Sequence, residues 1–127
     1  MLFNSQLLRM HPPTHPDFAR EFDAHVYFEP STRDLALALR TQAAQEFTNA
    51  AVFVGELIDR PVGPHPKPML EINFPRLWHD RVVAWLAQNR GPLTVLVHQV
   101  STDDSRDHTE GVRWLGDPLS LDLSRFG

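Results

Sequence analysis

Between residues 23 and 115 the chain changes its hydrophobic period in a fixed order, and that order limits the fold more than any other feature. Residues 23–29, DAHVYFE, alternate as a strand, with Ala24, Val26 and Phe28 on one face and His25, Tyr27 and Glu29 on the other. Pro30 ends this strand, and Ser31 with Asp34 predicts a helix N-terminal capping pair. Leu35, Leu39, Ala43 and Phe47 then recur every four residues as the apolar stripe of an amphipathic helix running to Asn49. Residues 50–58 predict a second strand, and DRPVGPHPKP is a proline-stiffened loop carrying His65. Residues 68–74 predict a third strand with Leu70, Ile72 and Phe74 opposite Met69, Glu71 and Asn73. Pro75 opens a second helix, whose stripe of Trp78, Val82, Trp85 and Leu86 stops at Asn89-Arg90-Gly91-Pro92. Residues 93–100 form the fourth strand, with Val95 and Val97 on one face and Leu96 and His98 on the other; residues 111–115 allow a short fifth.

Strand, helix, strand, strand, helix, strand is the order of an α+β, ferredoxin-like βαββαβ sandwich, with both helices on one face of an antiparallel sheet. At 127 residues the chain is the size of one domain, with residues 1–21 as an extended arm and 117–127 as a tail. Scattered Lys and Arg and a net charge of -4 offer no clustered basic footprint, so nucleic acid is not expected as a partner. No apolar run reaches membrane-spanning length and no secretory signal opens the chain, so no membrane association and a cytoplasmic location are expected. Cysteine is absent, which leaves imidazole and carboxylate as the strong metal ligands.

In this topology the first and third strands are central and the fourth flanks the first. The start of the first strand therefore meets the ends of the third and fourth, which gathers His25, His98 and Glu71 or Asn73 on the face opposite the helices. Two imidazoles and a carboxylate with open positions are the arrangement by which non-haem Fe(II) takes dioxygen and substrate together. A lone histidine on a strand is more often a packing or hydrogen-bonding residue, and a carboxylate on an open sheet face is commonly there for solubility. Convergence is what favours the metal. Strand counting puts His65 at the opposite end unless GPHPKP folds back over the sheet, whereas His108 lies in a loop at the correct end, as a ligand or an acid/base group. Asp103, Asp104 and Asp107 lack the glycine and final glutamate of a calcium loop and read as a solvated turn. His11 and His15 belong to the arm, and His79 sits beside the stripe of the second helix.

HVYF at His25 to Phe28, GPHP at Gly63 to Pro66, VLVH at Val95 to His98, and DHT followed by WLG between Asp107 and Gly116 together resemble the DOPA 4,5-dioxygenase family. The resemblance covers about residues 23–116. It implies a ferredoxin-like fold with an added C-terminal strand beside the fourth, a homodimer, and opening of a catechol ring such as that of L-DOPA between carbons 4 and 5. It supports an extradiol-type reaction using His-bound Fe(II) and dioxygen, with His25, His65 and His98 as preferred ligands and Glu71 as the substitute for His65. His108 would move a catechol proton, and Arg106, Arg113 and Tyr27 would hold the substrate. Gln99 follows His98 where the family pattern has proline, a departure in the substrate loop. Two other readings compete: a non-catalytic dimeric module binding a small aromatic metabolite or a protein partner, and a cofactor-free oxygenase. Fold alone does not choose between them.

Overall fold

The computed structural model describes residues 20–48 and 51–126; of the expected arm over residues 1–21, all but the last two residues, His11 and His15 included, lie outside that range. β1 (Phe22–Tyr27) is the central strand, paired antiparallel with β3 (Met69–Phe74) on one side and β4 (Val95–Gln99) on the other. β2 (Phe53–Val54) adds beside β3, and β5 (Arg113–Leu115) pairs antiparallel with β4, giving the order β2-β3-β1-β4-β5. This is the ferredoxin-like split arrangement with a fifth strand on its fourth.

β2 is much shorter than the strand expected over residues 50–58. Beyond Val54 the pairing continues only through the Gly55 amide, which donates to the Glu71 carbonyl at 2.8 Å, and an isolated bridge between Ile58 and Met69. Glycine weakens a strand interior, and the Gly55 carbonyl is taken by Arg40 Nε at 2.8 Å.

α1 (Arg33–Glu46) follows a 3-10 turn over Pro30–Thr32. The turn is closed by the Thr32 hydroxyl, which accepts from the Glu29 amide at 2.9 Å, in place of the expected Ser31 and Asp34 pair. Its buried stripe is Ala36, Leu39, Ala43 and Phe47, while Leu35 is 47% exposed. Ala36 suits the inner position because its small side chain lets the helix approach the sheet. α2 (His79–Asn89) buries Val82, Val83 and Leu86, with Trp78 and Trp85 half-buried and set edge-on to Phe47 at 6.4 and 5.6 Å between ring centroids. Gly91, at φ 55, makes the left-handed turn that leads into β4. Both helices pack on one face, against Ala24, Val26, Leu70, Ile72, Phe74, Val95 and Val97.

The second face is not open, contrary to the sequence expectation. Tyr27, Met69 and Leu96 project from it and pack with Ile58 and Val62 of the proline loop, with Trp114, Leu119 and Leu121 at the margin. The Asp122 amide donates to the Pro64 carbonyl at 2.8 Å, tying the C-terminal segment to that loop. Alternation on three strands places apolar residues on this face as well, and leaving them in water would forfeit roughly 1.5–3 kcal/mol for each large side chain. The cover buries a surface that would otherwise face solvent.

A buried cluster of four histidines

His25 lies opposite Glu71 on β3 and opposite Leu96 on β4; His98 lies opposite Asp23, one diagonal step from His25. Because strand side chains alternate, Asp23, His25, Glu71, Asn73 and His98 all emerge under the cover. His65 joins them because the loop folds back. Gly63 takes φ 58, which lets the His65 amide reach the Val62 carbonyl at 3.1 Å and closes a turn that returns the chain over β1. The ring centroids of His65 and His25 are then 4.1 Å apart.

His108 is placed by the loop after β4. The Asp107 carboxylate accepts from the Ser101 amide and the Ser101 hydroxyl, each at 2.7 Å, and Asp103 Oδ1 accepts from the Arg106 amide at 3.0 Å, holding the short helix α3 (Asp104–Asp107). Asp107 is 5% exposed, so this aspartate is an internal brace and not the solvated turn residue expected. The His108 ring lies 4.1 Å from His98, 5.2 Å from His65 and 6.0 Å from His25. All four imidazoles are at most 4% exposed.

The hydrogen bonds assign the ring nitrogens. His98 Nδ1 donates to the Gln99 carbonyl at 2.7 Å, which turns its Nε2 towards the cluster, and that atom is 2.8 Å from His25 Nε2. His25 Nδ1 is 3.0 Å from Met69 Sδ and 3.8 Å from Glu71 Oε2. His65 Nδ1 is 2.7 Å from the Tyr27 hydroxyl, while its buried Nε2 has no hydrogen-bond partner among the described residues. Burial, then the neighbouring imidazoles, holds the pKa values of His25 and His65 well below the ordinary 6.5. Both rings are therefore neutral and able to donate lone pairs.

Two groups of three put candidate ligand atoms within 4.8 Å of one another: His25, His65 and His108, and Asp23, His25 and His98. Asp23 was not among the residues singled out from sequence, although its position two before His25 puts it on the same face. Its carboxylate is engaged by the guanidinium of Arg20, with Nε at 2.7 Å from Oδ1, and by Asn73 Nδ2 at 2.7 Å. Glu71 is similarly held, with Oε1 at 2.8 Å from Asn73 Nδ2 and 3.2 Å from Arg20. The carboxylates thus form a braced layer beneath the histidines.

The expected substrate residues separate. Arg106 lines a cleft of about 310 Å³ with Gln99, Ser101, Asp107, Glu110 and Gly111, beside the segments that carry His98 and His108. Its Nε lies 3.5 Å from Glu110 Oε1. Arg113 does not face the histidines: paired with Val97, it lies on the helix side, in a hollow with Asp80, Val83, Ala84 and Ala87. The two-residue period fixes that placement. Tyr27 is 2% exposed, and its hydroxyl is engaged by His65. His79 stacks obliquely on Phe22 at 4.7 Å, on the helix side.

Among known proteins, the chain is 32% identical over 118 residues to the DOPA 4,5-dioxygenase of Amanita muscaria, covering 84% of this chain and 50% of that protein. It is 34% identical over 114 residues to an uncharacterised 21.2 kDa protein of Botryotinia fuckeliana, covering 81% and 61%. The chain therefore spans about half to three-fifths of the curated relatives it matches. A crystal structure from Nostoc punctiforme, of a protein named as a candidate dioxygenase, is 38% identical and superposes with a TM-score of 0.76, covering 84% of this chain and 90% of that one. Residues 22–125 match the model of the Dopa 4,5-dioxygenase family, from the first strand through the tail that covers the histidines, and the chain belongs to that family.

Proposed function

We propose that the protein is an extradiol-type dioxygenase that opens the ring of a catechol such as L-DOPA, with Fe(II) held by His25, His65 and His98. The observation that carries this reading is the four-imidazole cluster itself, buried, neutral at two members, and containing a His65 Nε2 with no hydrogen-bond partner among the described residues. A buried polar atom left without a partner costs about 1–3 kcal/mol, which a bound cation would recover. His25 is common to both groups of three, with His65 in one and His98 in the other. Each expected ligand has its Nδ1 against a group outside the cluster, namely Met69 and Glu71, Tyr27 or the Gln99 carbonyl, as metal-binding imidazoles usually do. The 2.8 Å between His25 Nε2 and His98 Nε2 is close to the roughly 3 Å expected of two neighbouring ligands at metal–nitrogen distances of about 2.1 Å.

Fe(II) would supply Lewis acidity towards the catechol oxygens and a one-electron path to dioxygen. The protein's own residues do the rest. His108, 4.1 Å from His98 between ring centroids, accepts a proton from a catechol hydroxyl and returns it later in the reaction. The cleft beside Gln99 and Arg106 admits the ring, and Arg106 meets a carboxylate on the substrate. Tyr27, Leu96 and Trp114 exclude water from the reacting face. The net change breaks one ring carbon–carbon bond beside the diol and places both atoms of dioxygen in the product. A non-catalytic binding module has no use for buried, mutually facing imidazoles, so the enzymatic reading is preferred.

The test is to incubate Fe(II)-reconstituted protein with a panel of catechols in air. A yellow conjugated product with one dioxygen consumed per ring is expected. No absorbance change across the panel, with iron incorporation confirmed, would overturn the reading.

A further inference from the structure

We propose that Tyr27 is a positioning residue that locks His65 in its Nδ1–H tautomer, so that the Nε2 lone pair points into the histidine cluster. The inference rests on the metal-binding reading for its purpose, but not for its geometry. His65 comes from a loop and is the one expected ligand not fixed by strand register. Gly63 and the Val62 turn bring its backbone into place, and they do not fix which nitrogen carries the proton.

Tyr27 is suited to decide that. It sits on β1 two residues from His25, its side chain is 2% exposed, and its ring is packed against Trp114 at 6.2 Å between centroids. Its hydroxyl oxygen is 2.7 Å from His65 Nδ1. Two proton arrangements satisfy this contact. In one, the phenol donates to Nδ1, and His65 must then carry its proton on Nε2, a buried N–H with no acceptor within hydrogen-bond reach among the described residues. In the other, Nδ1–H donates to the phenol oxygen and Nε2 carries only a lone pair beside His25 and His108. The second moves the one unpaired proton from the ring onto the phenol and prepares the ring as a ligand. A phenol differs here from the carboxylate that often backs a metal-bound imidazole: it accepts without adding negative charge.

The tautomer can be read without any metal. Long-range nitrogen–proton spectra of the 15N-labelled, metal-free protein should show His65 protonated at Nδ1. In Tyr27→Phe, which keeps the ring and its packing, His65 should revert to the Nε2–H form that free imidazole side chains favour. Affinity for Zn(II), used as a diamagnetic probe, should fall roughly 10–100-fold in Tyr27→Phe. In a His65→Ala background, the same Tyr27→Phe change should leave Zn(II) affinity unaltered, whereas a merely structural role for Tyr27 would weaken it in both backgrounds.

An Nε2–H His65 in the unaltered protein overturns the proposal, and that readout stands even if Tyr27→Phe does not fold. Equal Zn(II) affinity with and without the hydroxyl also overturns it. If His65 has the expected tautomer but the unaltered protein binds neither Zn(II) nor Fe(II), the metal reading falls, and the purpose assigned to the lock falls with it.

Discussion

The Nε2 atoms of His25 and His98 lie 2.8 Å apart although 73 positions separate the residues in the chain. β4 lies directly beside β1, with Asp23 opposite His98, and the diagonal step across this pair brings the two rings together at an interplanar angle of 16°. At that distance one ring can donate to the other, or both can turn lone pairs to a cation.

Removing either ring should therefore remove the ion. In His98→Ala the iron bound per chain should fall by more than the roughly 10–100-fold typical of losing an outer-shell partner. His108→Ala should keep the iron and lose turnover. Elemental analysis beside a catechol assay checks both, and full iron content in His98→Ala would show that the ligand assignment is wrong.

Two leucines of the helical layer, Leu86 and Leu35, should differ sharply. Leu86 is fully buried beneath α2, so Leu86→Ala should cost about 2–5 kcal/mol. Leu35 is 47% exposed, and Leu35→Ala should change stability by no more than about 0.5 kcal/mol. Urea unfolding of the two variants decides the point; a large loss for Leu35→Ala would contradict the stripe through Ala36.

Acid should destabilise the metal-free protein from near neutrality. His25 and His65 have folded pKa values depressed below 6.5, chiefly by burial. The unfolded chain then binds more protons as pH falls below 6.5, so stability present above that pH is progressively lost towards the lower folded values. The slope is up to about 1.4 kcal/mol per pH unit for each histidine. Denaturation midpoints measured from pH 7.5 to 5 should decline, and a flat profile would mean that the cluster is hydrated or already protonated.

Substrate contacts should divide by face. Arg106→Ala should raise KM for catechols bearing a carboxylate while leaving unsubstituted catechol nearly unaffected, since the lost contact is to the side chain of the substrate. Arg113→Ala, on the helix side, should alter neither. Steady-state kinetics with the two substrates separates them, and a KM effect in Arg113→Ala would require the fifth strand to present its other face.

The strand order, the central place of β1 and the shared face of His25, Glu71 and His98 were legible because two-residue alternation and punctuation by proline and glycine are local signals. The same alternation held the information that Arg113 points away and that Asp23 belongs under the cover. The return of His65 was not legible by counting strands, since it depends on one left-handed glycine and on Tyr27, whose contact is tertiary. Nor was the cover itself: a tail fastened by Asp122 to Pro64 leaves no periodic trace. Leu35 was misplaced because Leu35, four residues before Leu39, and Ala36, three before it, both fit the helical period, and only packing against the sheet selects between them.

The central claim is that the buried histidines hold an iron on which ring opening depends. It is tested most directly by measuring iron content and catechol turnover on one preparation before chelation, after chelation, and after Fe(II) is restored. The account predicts about one iron per chain with turnover, loss of both on chelation, and recovery of both with Fe(II). Turnover that survives complete removal of the metal would contradict it.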